Sequence, residues 1–184
     1  MIIENFLDKS ICPSLLLFPV ANVGLFFVFS GKVNEFIIQD AFMVIKQVTI
    51  LIFVAIAEEL FFRGLLLREL VFGFRLKAML AATIVSMLFG VLHIMNIFSY
   101  ASVTYAIIQG VCAFSVGFDL SAIYCKFRSI IPCIVIHALI NITSIGLENV
   151  NTKLTLTNLE VSVFLLVAVL YLLHGYREFK SMNL

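Results

Sequence analysis

Apolar residues in this chain come in long blocks, and short polar segments separate the blocks. Six blocks of span length can be drawn, at about 11–30, 41–67, 78–98, 102–124, 130–147 and 159–176. A helix needs roughly 18 or more such residues to cross a hydrocarbon core of about 30 Å. In lipid every backbone N–H and C=O must be bonded within the protein, which leaves helices or a closed barrel. Barrel strands would be about ten residues long with strict alternation. These blocks are longer and apolar on all sides, so they predict helices. The expected fold is all-α: a polytopic transmembrane helix bundle of about six spans, forming one domain over residues 1–184. Pro13 and Pro19 interrupt the first block. Glu4 and Asp8 against Lys9 make a poor positive leader, so a retained helix is favoured there over a cleaved signal.

Composition supports this picture. Hydrophobic residues make up 62% of the chain and charged residues 12%, with a mean hydropathy of +1.14. Soluble domains carry about 25% charged residues, so there are too few charges here to coat a water-facing surface. The net charge of +1 argues nothing about nucleic acid, but there is no basic stripe and no RNA- or DNA-binding motif, so no nucleic-acid partner is expected. Cys12, Cys112, Cys125 and Cys133 lie in or beside apolar blocks without a CxxC pair and read as small apolar residues. One set of block ends holds Lys9, Arg68, Arg75, Lys77, Lys126, Arg128, Arg177 and Lys180, and the other only Lys32 and Lys153. Eight against two places both termini in the cytoplasm. The expected location is the cell membrane, multi-pass, with the lipid bilayer as an obligatory partner.

Ionisable groups inside such blocks are expensive and are functional candidates by default. The second block carries Glu58, Glu59 and Arg63 in AEELFFRG. Glu59 and Arg63 are four apart and share a helix face. Glu58 is turned away by about 100°, which leaves one paired and one available carboxylate. The third block carries Phe89 and His93 one turn apart, with Asn96 just beyond. The fifth carries His137 and Asn141, again at i and i+4. Each set has a plainer reading: a snorkelling helix end for the first, and interhelical hydrogen bonding for the others. Their convergence would instead make a polar pocket in the cytoplasmic half of the bundle. Asp119 and His174 read as solvated or interfacial, and Lys46 as snorkelling to the headgroups.

Taken in order, E58-E-x-x-x-R63, F89-x-x-x-H93 and H137-x-x-x-N141 resemble the three motifs of the CAAX-protease and bacteriocin-processing family, also called Abi. The resemblance covers about 41–147. It implies an intramembrane endopeptidase acting on a peptide or membrane-anchored protein. Carried over by position, Glu58 would activate a water and His93 would help hold it. His137 and Asn141 would donate to the oxyanion, and Glu59 and Arg63 would shape the site. No cofactor is required. HExxH is absent, so a glutamate-activated water is preferred to Zn²⁺, for which Glu58, His93 and His137 would be the ligands. Members of the family are often described as metalloproteases. Eukaryotic members trim prenylated CaaX proteins, and bacterial members are linked to bacteriocin maturation or self-immunity. This short chain resembles the bacterial kind. The competing function is a non-enzymatic immunity or scaffold protein that binds a partner through the same bundle.

Overall fold

The computed structural model describes residues 13, 14, 16, 17, 19, 20, 41–98, 103–150 and 158–182, without the side chains of Ala41, Asn96 and 145–150. Most of the expected first span, 11–30, lies outside these residues, as do Cys12 and both chain ends. All regular structure among the described residues is helical.

Helix α1 covers Ala41–Glu59 and runs on as wide π turns through Leu60–Leu67 and Glu69–Gly73. The element therefore reaches Gly73 instead of ending near Leu67. No proline interrupts the run, and its Leu and Phe side chains sustain a helix until the chain turns. Helix α2 covers Ala78–Ile94 and tightens into a 3-10 turn at Met95–Phe98. Helices α3, α4 and α5 cover Val103–Phe127, Ile131–Val150 and Asn158–Ser181. Helices α3 and α5 are each long and apolar enough to cross a membrane, and shorter apolar helices cover Ala78–Ile94 and Ile131–Ser144.

Helix α3 is the centre of the bundle. It packs along α2 on one side and α5 on the other, while α1 packs against α4. Small residues set the α2–α3 approach. A Cβ added to Gly90 would stand 2.8 Å from the Gly110 carbonyl oxygen, and one added to Gly110 would stand 3.0 Å from the Gly90 oxygen. Main chain thus touches main chain, as in helix pairs that associate in lipid by close packing. Around this contact Ala81, Ala82, Val85, Phe89, Ala113 and Phe118 form one core cluster, and Leu120, Ile123, Ile136 and Tyr171 belong to a second. The outward residues are themselves apolar, with Phe53 66% and Leu65 55% exposed, a surface suited to lipid.

Two turns close in an unusual way. Arg75 has φ 57° and Arg128 φ 49°, the left-handed region that normally selects glycine or asparagine. The Leu76 N–H donates to the Leu70 carbonyl at 2.9 Å around Arg75, and the Arg128 N–H donates to the Tyr124 carbonyl at 2.8 Å.

Candidate active site

The three motifs meet where α1 turns into its π segment. Glu59 and Arg63, one turn apart, are both fully buried, and Arg63 Nη1 donates to Glu59 Oε1 at 2.6 Å. The other arm of the guanidinium donates to the Gly117 carbonyl on α3 at 3.0 Å. A buried cation costs far less when it is paired and hydrogen-bonded. Arg63 also lies over the Phe89 ring, with Cζ 5.1 Å from the centroid.

His137 reaches the site from α4 and stands between the two glutamates. Its Nδ1 lies 2.9 Å from Glu59 Oε1, and its Nε2 lies 3.4 Å from Glu58 Oε2. An ionised carboxylate only accepts, so the Nδ1–H donates to Glu59 and the ring orientation is fixed from behind. Glu58 keeps 31% of its side chain exposed, whereas Glu59 is fully buried. Two adjacent acids therefore live in different surroundings. One is sealed in an ion pair, and the other is open beside an imidazole.

Phe89 is the shared wall. It is 2% exposed, and its ring packs edge-on to Phe62 at 4.9 Å and to His137 at 5.7 Å. The His93 ring sits 4.4 Å from it, with Nδ1 2.9 Å from the Phe89 carbonyl one turn back. Bonding to that carbonyl makes Nδ1 the donor and leaves Nε2 as the nitrogen able to address a ligand. Asn141, one turn beyond His137, is half-buried. By helix rise His93 lies about 22 Å along α2 from Ala78, so the site reaches past the middle of the bundle, away from the basic turns at Arg75 and Arg128. The reason is that His93 occupies the last turn of a helix that begins beside those turns.

Among the described residues no three His, Cys, Asp or Glu side chains are grouped to hold a metal ion; His93 and His137 each hold a carbonyl or carboxylate through Nδ1, the contact by which an imidazole is oriented whichever partner its Nε2 takes.

Residues 40–143 match the family model for type II CAAX prenyl endopeptidases of the Rce1-like kind. The chain belongs to this family. No curated protein and no solved structure gave a match. As an Rce1-like protein it is a CAAX-type protease of the membrane at family level, and the matched residues carry all three motifs.

A second polar cluster was not anticipated from the sequence of this Rce1-like chain. Asp119 on α3 is fully buried and accepts from Ser14 Oγ at 2.5 Å, and the His174 Nδ1 of α5 lies 2.6 Å from its other oxygen. Glu178 stands 3.7 Å from His174 Nε2 and 2.7 Å from Lys126 Nζ. Tyr171 donates to the Ser14 carbonyl at 2.7 Å. Asp119 is thus not solvated: it is fully buried, and it and His174 supply each other's partner across two helices. Ser14, His174 and Asp119 do not form a nucleophilic triad, since serine and aspartate meet the same ring nitrogen and the buried serine donates to the aspartate. One signal was present: Gly117 and Ser121 flank Asp119, and small residues mark a close helix contact. A Cβ on Gly175 of α5 would stand 3.0 Å from Asp119 Cα.

Proposed function

We propose that this chain is an intramembrane endopeptidase in which Glu58 activates a water that attacks a peptide carbonyl. The observation that carries this reading is the division of labour between Glu58 and Glu59. Arg63 neutralises the buried one and leaves the exposed one beside His137. A carboxylate that is partly exposed and not locked to a cation is the one available as a general base.

In this reading Glu58 takes the water proton as the oxygen attacks, with His93 Nε2 holding the water. Asn141 donates to the oxyanion; with Nδ1–H held by Glu59, His137 joins it only through a second proton on Nε2, the nitrogen that faces Glu58, and such donors contribute about 3–4 kcal/mol each. Glu58 then passes its proton to the leaving amine as the C–N bond breaks. Glu59 fixes the His137 ring, and Arg63 fixes Glu59. The reaction uses protein groups and water alone. Both termini face the cytoplasm in a six-span topology, as the distribution of basic residues suggests. The substrate is a peptide or membrane-anchored protein, and bacteriocin processing or self-immunity is the biological setting.

The test is cleavage of a peptide library, lipid-anchored members included, by purified protein in detergent. Wild type is compared with Glu58→Gln, each with and without a chelator. Turnover absent in Glu58→Gln and unaffected by chelation is the expected result. Turnover lost to the chelator would put a metal in the reaction. Undiminished turnover in Glu58→Gln would remove Glu58 from the role of base.

A further inference from the structure

The turn between the π segment and α2 has a composition that the protease chemistry does not use. Arg68, Phe72, Phe74, Arg75 and Lys77 fall within ten residues, and all five are exposed, with Phe72 at 55% and Phe74 at 74%. Arg128, from the α3–α4 turn, joins them by placing its guanidinium 5.8 Å from the Phe72 ring centroid. None of these four cations takes part in an ion pair among the described residues, whereas Lys126 nearby is held by Glu178. Glu69 is the one acid between residues 60 and 77, and its carboxyl folds back against Gly73.

The backbone adds an independent observation. Arg75 and Arg128 both hold left-handed φ, at 57° and 49°, where glycine would sit without strain. Both turns therefore place an exposed arginine where glycine would be the less strained residue. The turn lies at the ends of apolar helices, where headgroups begin. Aromatic rings there settle between acyl chains and headgroups, and clustered Lys and Arg attract anionic lipid.

We propose that Arg68, Arg75, Lys77 and Arg128, with Phe72 and Phe74 between them, form a binding site for the headgroup of an anionic phospholipid. The phosphodiester is held by these cations, and the two phenylalanines seat the turn at the acyl boundary. The site does not depend on the proteolytic reading.

The chain contains no tryptophan, so Phe74→Trp provides a single reporter. The full chain carrying it is placed in vesicles with increasing brominated phosphatidylglycerol or brominated phosphatidylcholine, and quenching is read. Phosphatidylglycerol should reach half-maximal quenching at a severalfold lower mole fraction, since each engaged cation contributes about fivefold. Adding Arg75→Gly and Arg128→Gly should abolish most of that preference. Glycine suits both φ values, so the thermal midpoint of this variant should not fall. Arg177→Gln with Lys180→Gln should leave the preference intact. Equal quenching by the two lipids would overturn the proposal. So would an undiminished preference in the glycine variant, or an equal loss in the Arg177 and Lys180 variant, which would show a diffuse surface charge instead of a site.

Discussion

His137 Nδ1 lies 2.9 Å from Glu59 Oε1, although 78 residues separate them along the chain. This contact links the two histidine-bearing and glutamate-bearing motifs and turns the second imidazole nitrogen toward Glu58. Glu59→Gln keeps the shape but replaces the acceptor with an amide that can present either end. Turnover should fall by about 10–100-fold, the range for losing the group that orients a functional imidazole. KM should change little, and steady-state kinetics of the two forms will separate the effects.

Arg63 should matter for stability more than its neighbours do. Arg63→Met leaves Glu59 buried without its cation, which costs about 3–5 kcal/mol when a fully buried pair is broken. Glu59→Gln with Arg63→Met should recover much of that loss, because no uncompensated charge remains. Thermal midpoints of the two single variants and the double variant in detergent give the coupling directly.

Phe89 supports both histidines, so Phe89→Ala should act on fold and activity together. The cavity should cost about 3–5 kcal/mol. Turnover per folded molecule should fall as well, because the rings of His93 and His137 lose a common wall. Phe89→Leu should restore most of the stability and less of the turnover.

Asp119→Asn tests the second cluster. The amide retains the shape but weakens two hydrogen bonds and leaves the histidine without its anion, a loss of about 2–4 kcal/mol. Ser14→Ala should cost about 1 kcal/mol. Specific activity of the folded fraction should be unchanged in both. A selective loss of turnover with the thermal midpoint intact would place Asp119 in substrate handling.

The two clusters differ in how visible they are in the sequence. Glu59 and Arg63 are legible because helix periodicity puts residues four apart on one face, and that pairing separates Glu58 from Glu59 before any coordinates. The apolar blocks likewise delimit α2 to α5 to within a few residues. Asp119 and His174 were not legible as partners, because they meet between helices and no local period relates them. The apolar block ends near Tyr176, just past His174, whereas α5 continues to Ser181 and carries Glu178 back toward the ring. The π turns after Glu59 were not legible either. Leu and Phe at those positions suit an α-helix equally well, so no residue there marks the wider winding of a segment that lies against α2 and α3.

The Gly117 carbonyl receives both Arg63 Nη2, at 3.0 Å, and Ser121 Oγ, at 2.7 Å. Its role is carried by main chain, so no substitution at position 117 deletes the acceptor. A mutational scan would register that residue only through bulk, since an added Cβ would stand 3.3 Å from Phe89 and Ser86. Across diverging descendants, position 117 can change its side chain wherever space allows while the anchorage of the buried arginine is inherited intact.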